Sequence, residues 1–217
     1  MKGNRNLRAC LNLLGPEVLA KSVVASYVKE FFDQSAQAYS LCMSRIYHHA
    51  VGKAKTAEQL SRRTQAVSSA RAYTGGLLHD IGKVVLDQYV ATGFPLFYRD
   101  MFKEKEFLES ERKHLGIDHA AIGLQLAERW SFPDTLKEVI AHHHNPEKAS
   151  CAVELTHLVY FADLLMSRFL TGLELDRLNT DQLAGRLAKI GLTAGQFHEL
   201  VDLIPREFLE TNVGQTS

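Results

Sequence analysis

Apolar residues recur every three or four positions along almost the whole chain, and this spacing constrains the fold more than any other feature of the sequence. Side chains at that spacing share one face of an α-helix, whereas a half-buried strand would show alternation. The pattern predicts helices over residues 17–32, 36–53, 56–78, 96–113, 118–130, 134–143, 151–170, 180–190 and 194–212. No alternating stretch of useful length, internal repeat or long linker interrupts the pattern. We therefore predict an all-α fold built as a single compact helical bundle.

Composition and charge exclude several classes of protein. The chain has 217 residues, 46% of them hydrophobic and 23% charged, which is typical of a globular protein. Lysine plus arginine and aspartate plus glutamate both number 25, whereas a nucleic-acid-binding protein usually carries a basic excess. The three cysteines include no CxxC pair, and no stretch approaches the ~18 apolar residues of a membrane helix. We expect a cytoplasmic protein with neither nucleic acid nor a membrane as its partner.

The sequence contains 10 histidines, and one of them, His79, stands beside Asp80 in an apolar segment. Burial of a lone carboxylate among leucine and isoleucine is unfavourable, so a paired cation is expected. A histidine nitrogen and an aspartate oxygen together suit Zn, Mn or Fe better than Ca or Mg. The alternative is a helix that stops at Gly82, with Asp80 and Lys83 paired at the protein surface.

Further candidate metal ligands are scattered over the chain: His49, His119, His143, His144 and Asp163. Asp163 is the single acid of an apolar helix, for which a buried salt bridge is the alternative. His119 opens a predicted helix and could instead lie at the surface. Because adjacent helical residues diverge by about 100°, three consecutive histidines cannot all converge, and we expect His142 to point away.

The order of His49, the His79-Asp80 pair and Asp163 resembles that of the HD superfamily of metal-dependent phosphohydrolases. Within this superfamily the chain resembles the HDOD branch of bacterial signalling domains. The segments that carry the resemblance are LRACLNLLG at 7–15, GLLHDIGK at 76–83, the stretch from 117 to 149 and the helix of Asp163. The resemblance implies an HD-type helical bundle with three parts: N-terminal helices at 1–34, a metal-binding core at 35–170 and C-terminal helices at 171–217.

The resemblance also implies how the site works. The candidate ligands would hold two divalent ions (Fe, Mn, Zn or Ni), with Asp80 as the candidate bridging carboxylate. Two ions held in this way lower the pKa of a bridging water and neutralise charge on the phosphoryl oxygens. Lys83 matches the lysine of the family's HDxGK pattern, which lies near the substrate phosphate. Asp80 and Lys83 are therefore the predicted catalytic residues.

The chain departs from the pattern of the family that it resembles in three places. Asn145-Pro146-Glu147 follows the histidine pair where the Gly-Tyr-Pro signature for cyclic di-GMP would stand, which disfavours that substrate. Arg45, one turn before His49, replaces a glutamate of three-metal relatives and disfavours a third ion. With Lys83, Arg45 is predicted to bind substrate phosphate at the mouth of the site. The chain also begins at the LRACLNLLG-like segment, as expected of a short variant or of the C-terminal part of a longer domain.

Two functions remain open at this point. The first is a metal-dependent phosphohydrolase acting on a small phosphorylated ligand, either a phosphoester or a (cyclic) nucleotide, and the complete ligand set favours it. The alternative is a non-catalytic HDOD signal-transduction module that contacts a signalling protein and has a structural or vestigial metal site. DNA binding has only a small basic cluster in its favour, formed by Lys53, Lys55, Arg62 and Arg63.

Overall fold

The computed structural model of the chain describes residues 18, 21–32, 46–90, 97, 107–166 and 180–204. Within these ranges every regular element is helical, so the predicted all-α class is confirmed. The α-helices, in chain order, are α1 (21–32), α2 (Ile46–Thr64), α3 (Ser69–Leu78), α4 (82–90), α5 (Phe107–Leu115), α6 (His119–Arg129), α7 (Asp134–His142), α8 (Val153–Met166) and α9 (Thr180–Ala188). The described residues also form two 3-10 helices, Pro146–Lys148 and Ala194–Leu203. None of the described helices is both long enough and apolar enough to cross a membrane.

The break predicted between residues 53 and 56 lies further along the chain in the structure. Helix α2 runs through the predicted break and ends at Thr64. Gln65 then adopts a left-handed φ of 55°, which ends the right-handed helix. The Ser61 hydroxyl donates to the carbonyl oxygen of Val67 across the turn, at 2.6 Å. Small polar residues that bond to nearby backbone favour turns, and here they override the apolar spacing.

Helix α8 lies at the centre of the bundle and is buried along most of its length. It packs against α2 and α3, and these two helices also approach each other closely. A Cβ atom on Gly76 would lie 2.9 Å from the Cα atom of Ala54, so no larger residue fits there without a shift of backbone. This close approach brings Lys53 of α2 beside His79, which follows α3.

A second glycine, Gly82, allows α4 to begin against the start of α6. A Cβ atom on Gly82 would collide with the carbonyl oxygen of His119 and would lie 2.8 Å from the backbone nitrogen of Gly123. Gly82 thus begins a helix and does not end one. The alternative of a surface pair between Asp80 and Lys83 is wrong, because both side chains are buried.

The C-terminal part of the described chain contributes to the same bundle. Leu187, Ile190 and Leu200 are buried in an apolar cluster with Leu60 of α2 and Phe161 of α8. Helices α2 and α8 are also the helices that flank the candidate site. Residues 180–204 therefore share an apolar core with the two helices that provide Lys53 and Asp163.

Candidate metal centre

The structure brings all but one of the predicted metal ligands into two adjacent groups that share Asp80. The first group is His79, Asp80 and Asp163, and the second group is Asp80, His119, His143 and His144. Within each group, one donor atom of every residue lies within 4.8 Å of the others. We call these groups the first position and the second position.

At the first position, the ammonium group of Lys53 lies among the donor atoms. Lys53 Nζ is 2.6 Å from Asp80 Oδ2 and 2.6 Å from Asp163 Oδ1. It also lies 3.4 Å from His79 Nε2. Lys83 adds a second ammonium group, 2.8 Å from the same oxygen of Asp80, and both lysines are buried. The two carboxylates of the first position are therefore already paired with cations that belong to the chain.

At the second position, three imidazole rings present their Nε2 atoms to one another and to the other oxygen of Asp80. His119 Nε2 lies 2.9 Å from His144 Nε2 and 3.3 Å from His143 Nε2. Asp80 Oδ1 lies 3.3 Å from the Nε2 atom of His119 and 3.5 Å from that of His143. This buried oxygen accepts no well-formed hydrogen bond from the part of the chain that the structure describes.

Contacts on the outer side of two rings determine which nitrogen faces the second position. His119 Nδ1 lies 2.7 Å from the buried carboxylate of Glu111, and His143 Nδ1 lies 2.9 Å from the carbonyl oxygen of Ile140. An acceptor at Nδ1 favours the tautomer with its proton there, so the Nε2 lone pair faces inward. Histidines that bind metal ions almost always have an outer partner of this kind.

The turn between α5 and α6 places Glu111 against His119. Helix α5 ends before Gly116, whose φ of 76° lies in the left-handed region that glycine adopts readily. Asp118 then caps α6 by accepting the backbone N–H of Ala121 at 2.8 Å. Glu111 also accepts the backbone N–H of His119 at 2.7 Å. The histidine is therefore held both at its backbone and at its ring.

The carboxylates at the site stay charged although they are enclosed. Burial disfavours the charged form of Asp80, but His79 and the two lysine ammonium groups outweigh it and hold the pKa of Asp80 well below its usual range. Burial acts on Asp163 in the same way, and Lys53 outweighs it, so the pKa of Asp163 is also low. In turn, the two carboxylates outweigh the effect of burial on Lys53 and raise its pKa.

The imidazoles of the second position divide into neutral rings and one more basic ring. Burial lowers the pKa of His143 to about 4. Burial, together with the neighbouring imidazoles, holds the pKa of His144 well below its usual range. Burial also acts on His119, but the carboxylates of Glu111 and Asp80 outweigh it and raise the pKa of His119. Neutral imidazole is the form that binds a metal ion, so His143 and His144 need lose no proton to do so.

The donors at the second position fit a divalent ion of the transition series. Inward-facing lone pairs and a buried carboxylate oxygen are unfavourable together unless a cation lies between them. Three imidazole nitrogens and one carboxylate oxygen suit Zn, Fe, Mn or Ni better than Ca or Mg. At the first position, a lysine ammonium group already supplies the cation.

The remaining predicted residues lie elsewhere. His49 is outside both groups, and burial together with nearby Lys53 and Lys83 lowers its pKa to about 4. Residues four apart share a helix face, and the longer side chain of Lys53 is the one that reaches the carboxylates from α2. Lys83 is buried within the site and not at its mouth. Arg45 lies outside the described residues, and His142 belongs to neither group.

Two residues at the site, Lys53 and Glu111, have little or no signal in the sequence. Lysine and glutamate are almost never fully buried unless they are paired, so both are expected at the surface. The one signal for Lys53 is its place four residues after His49, on the same face of α2. Glu111 has no such signal, since charged residues surround it in α5. Lys53 is therefore buried at the site and does not form a basic surface cluster with Lys55, Arg62 and Arg63.

Comparison with known proteins identifies relatives of this fold. The HDOD domain family matches residues 5–146, which is more than half of the chain. An uncharacterized protein of Treponema pallidum (strain Nichols) is 33% identical over 113 residues, which cover 48% of this chain and 20% of that protein. An HDOD domain protein of unknown function from Geobacter sulfurreducens has a similar structure, with a TM-score of 0.61 and 24% identity. That similarity covers 71% of this chain and 53% of the Geobacter chain.

A second solved structure with a similar fold is the HD domain of the L. monocytogenes phosphodiesterase PgpH in complex with cyclic-di-AMP. The TM-score is 0.51 at 15% identity, over 88% of this chain and 98% of that domain. The present chain spans about half the length of the Geobacter protein and a fifth of the Treponema protein. The resemblance predicted from the order of histidines and aspartates is thereby confirmed. This protein belongs to the HDOD domain family.

Proposed function

We propose that this protein is a metal-dependent phosphohydrolase that holds a divalent ion at the second position. The observation that carries the proposal is the convergence of three imidazole Nε2 atoms on the buried Oδ1 atom of Asp80. The outer partners of His119 and His143 leave the inner nitrogens of these rings ready to bind a cation. Fe, Mn, Zn and Ni all suit this set of donors.

The residues of the chain prepare the site for phosphoester hydrolysis. When bound, a divalent ion lowers the pKa of a coordinated water and polarises a phosphoryl oxygen. Lys53 and Lys83 both bond to Oδ2 of Asp80, which leaves Oδ1 directed at the second position. Asp80 therefore acts as a ligand, and Lys83 acts as a positioning residue. His144 and Asp163 are only half-buried, and they mark the side from which a substrate reaches the site.

The substrate class that fits this site is a small phosphoester or nucleotide. His79, His119 and His143 are all buried, so a compact phosphoryl group suits the site better than a polymer surface. The HD domain of PgpH binds cyclic-di-AMP, and cyclic dinucleotides are therefore candidate substrates here as well. The two-ion reaction implied by the resemblance requires a metal ion at the first position in place of the Lys53 ammonium group.

A non-catalytic signalling module is the second candidate, and the first position favours it. Lys53 bonds both carboxylates at 2.6 Å, and such internal ion pairs replace an ion that two-metal hydrolysis would use. In that case an ion at the second position is structural. The protein would then act by contact with a signalling protein and not by turning over a ligand.

Metal analysis combined with hydrolysis assays separates the two candidates. Protein purified without chelators from cells grown with Mn or Fe is analysed for metal and assayed with bis(p-nitrophenyl) phosphate, nucleotides and cyclic dinucleotides. His143→Ala should lose both the metal and hydrolysis, whereas the adjacent His142→Ala should keep both. Metal-loaded wild-type protein that hydrolyses none of these substrates would favour the signalling module. Wild-type protein without metal would refute the metal centre itself.

A further inference from the structure

The Lys53 ammonium group lies where the resemblance places a metal ion. An ammonium group has three hydrogen-bond donors. The acceptors around it are the carboxylate oxygens of Asp80 and Asp163 and the Nε2 atom of His79, which lie at 2.6 Å, 2.6 Å and 3.4 Å. His79 Nδ1 lies 2.9 Å from the carbonyl oxygen of Gly76, which leaves the Nε2 atom as the ring nitrogen that faces the ammonium group. The first position therefore offers a suitable set of acceptors for one ammonium group.

The charges at the first position also favour an ammonium group over a divalent ion there. Asp80 and Asp163 carry two negative charges, and Lys53 and Lys83 supply two positive charges in contact with them. A divalent ion added there would leave unpaired positive charge in an enclosed site, which is strongly unfavourable. The second position differs, because three of its four donors are imidazole nitrogens and the Glu111 carboxylate lies behind one of these rings.

We propose that Lys53 replaces the first metal ion, so that this chain binds a single divalent ion, at the second position. The inference rests on the proposed function for its account of the second position. Lys53 also bonds the carboxylate that the single ion uses, so one side chain both fills the first position and orients Asp80 for the second. The chain thus carries a built-in cation on helix α2 where two-metal relatives bind an ion from solution.

The number of bound ions tests this inference without any substrate. Metal-free protein is loaded with Mn²⁺, desalted and analysed by mass spectrometry for manganese per chain. Wild-type protein should hold a single ion. Lys53→Ala removes the ammonium group, opens the first position to Mn²⁺ and should hold a second ion. Lys55→Ala is the matched control, since residues two apart project from opposite sides of a helix, and it should match the wild type.

A second variant keeps the test decisive if Lys53→Ala does not fold. His79 belongs only to the first position, so His79→Ala should retain the single ion, whereas a two-metal protein would lose an ion. Three results would each overturn the inference but not the metal site at the second position. They are a second ion bound to wild-type protein, loss of the ion from His79→Ala, and a folded Lys53→Ala protein that binds no additional ion. Wild-type protein without an ion would overturn the single-ion inference together with the proposed function, even if Lys53→Ala gained an ion. No ion in either protein would overturn both.

Discussion

The orientation of single imidazole rings decides whether the second position can bind a cation, and His119 depends on Glu111 for its orientation. Glu111 accepts the backbone N–H of His119 and also contacts the ring at Nδ1. A carboxylate partner fixes the tautomer of a histidine and raises the basicity of its inner nitrogen. Glu111 is fully buried, so water cannot take over its contacts unless the structure opens. We therefore regard Glu111 as a positioning residue for the metal centre.

We expect Glu111→Gln to weaken Mn²⁺ binding about 10- to 100-fold, the usual effect of losing such a partner. Glutamine keeps the size of the side chain, but it is neutral and has a single acceptor oxygen for two contacts. The affinity is measured by competition with a chelating dye. Glu109→Gln, at an exposed position of the same helix, is the matched control and should bind Mn²⁺ like the wild type. Equal affinities of the two variants would show that Glu111 does not position the ring.

Gly82 allows the close approach of α4 to the backbone at the start of α6. Its neighbour across this contact is the His119 carbonyl oxygen, with which an alanine Cβ atom would collide. Gly82→Ala should lower the free energy of unfolding by about 1–3 kcal/mol, because the added methyl group overpacks the contact. Gly185→Ala in α9 adds a methyl group in open space and should be neutral or stabilising, by up to about 1 kcal/mol. Urea denaturation measures the free energy of unfolding of both variants. Similar changes in this free energy for the two variants would argue against a tight contact at Gly82.

At the scale of residues, the sequence predicts the donors of the site better than their partners. His79 and Asp163 stand in apolar helical segments, so their need for a polar partner is visible from their neighbours alone. Glu111 stands among other charged residues, whereas Lys53 stands between two small residues, and periodicity gives neither side chain a reason to be buried. Their burial depends on carboxylates and imidazoles from distant segments, which no local pattern contains.

The histidine pair directly follows α7 and Asp163 lies on α8, and Glu138 links these two helices. Its carboxylate accepts the backbone N–H groups of Ser150, Cys151 and Ala152, just before α8 begins. N–H groups at the start of a helix lack partners within the helix, and a negative charge there is favourable. Burial opposes the charged form of Glu138, but the hydrogen bonds from Ser150 and Ala152 outweigh it and lower its pKa to about 2.

This link predicts that the effect of Glu138→Gln on stability depends on pH. A carboxyl group whose pKa falls on folding stabilises the protein above its unfolded pKa of 4.5, and that contribution is lost as the pH falls toward 2. Near pH 7 the variant should therefore be less stable than the wild type, by about 1 kcal/mol as for other lost caps. Urea denaturation should show this difference shrink below pH 4.5. Glu128→Gln, at an exposed position of α6, is the control, and its stability relative to the wild type should not change with pH. If the difference in stability between Glu138→Gln and the wild type stays constant over this pH range, the charge of Glu138 is not its cause.

Apolar spacing predicts where helices lie, but local contacts determine where they end. The helices predicted at 118–130 and 134–143 agree closely with α6 and α7. Asp118 and Pro133 mark the starts of these helices in the sequence, and both are helix caps in the structure. The end of α2 at Thr64 was not predictable in this way, because it depends on the left-handed φ of Gln65.

Across the whole molecule, the metal centre joins segments that are far apart in the sequence. The donors of the second position come from the turn after α3, the start of α6 and the two residues that follow α7. An unfolded chain does not hold these donors together, so the free energy of metal binding adds to the stability of the fold.

Removal of the ion should therefore lower the stability of the entire bundle. An ion that binds only the folded chain contributes about 2.7 kcal/mol when its free concentration is about 100 times its Kd. Wild-type protein treated with a chelator should melt at a lower temperature, and its Tm should rise with each increase in free Mn²⁺. His143→Ala lacks one imidazole of the second position, so its Tm should rise little with free Mn²⁺. The Tm of His142→Ala should rise with free Mn²⁺ as the wild-type Tm does. An equal rise in all three proteins would indicate non-specific binding of Mn²⁺, because only a site built on His143 distinguishes the two adjacent histidines.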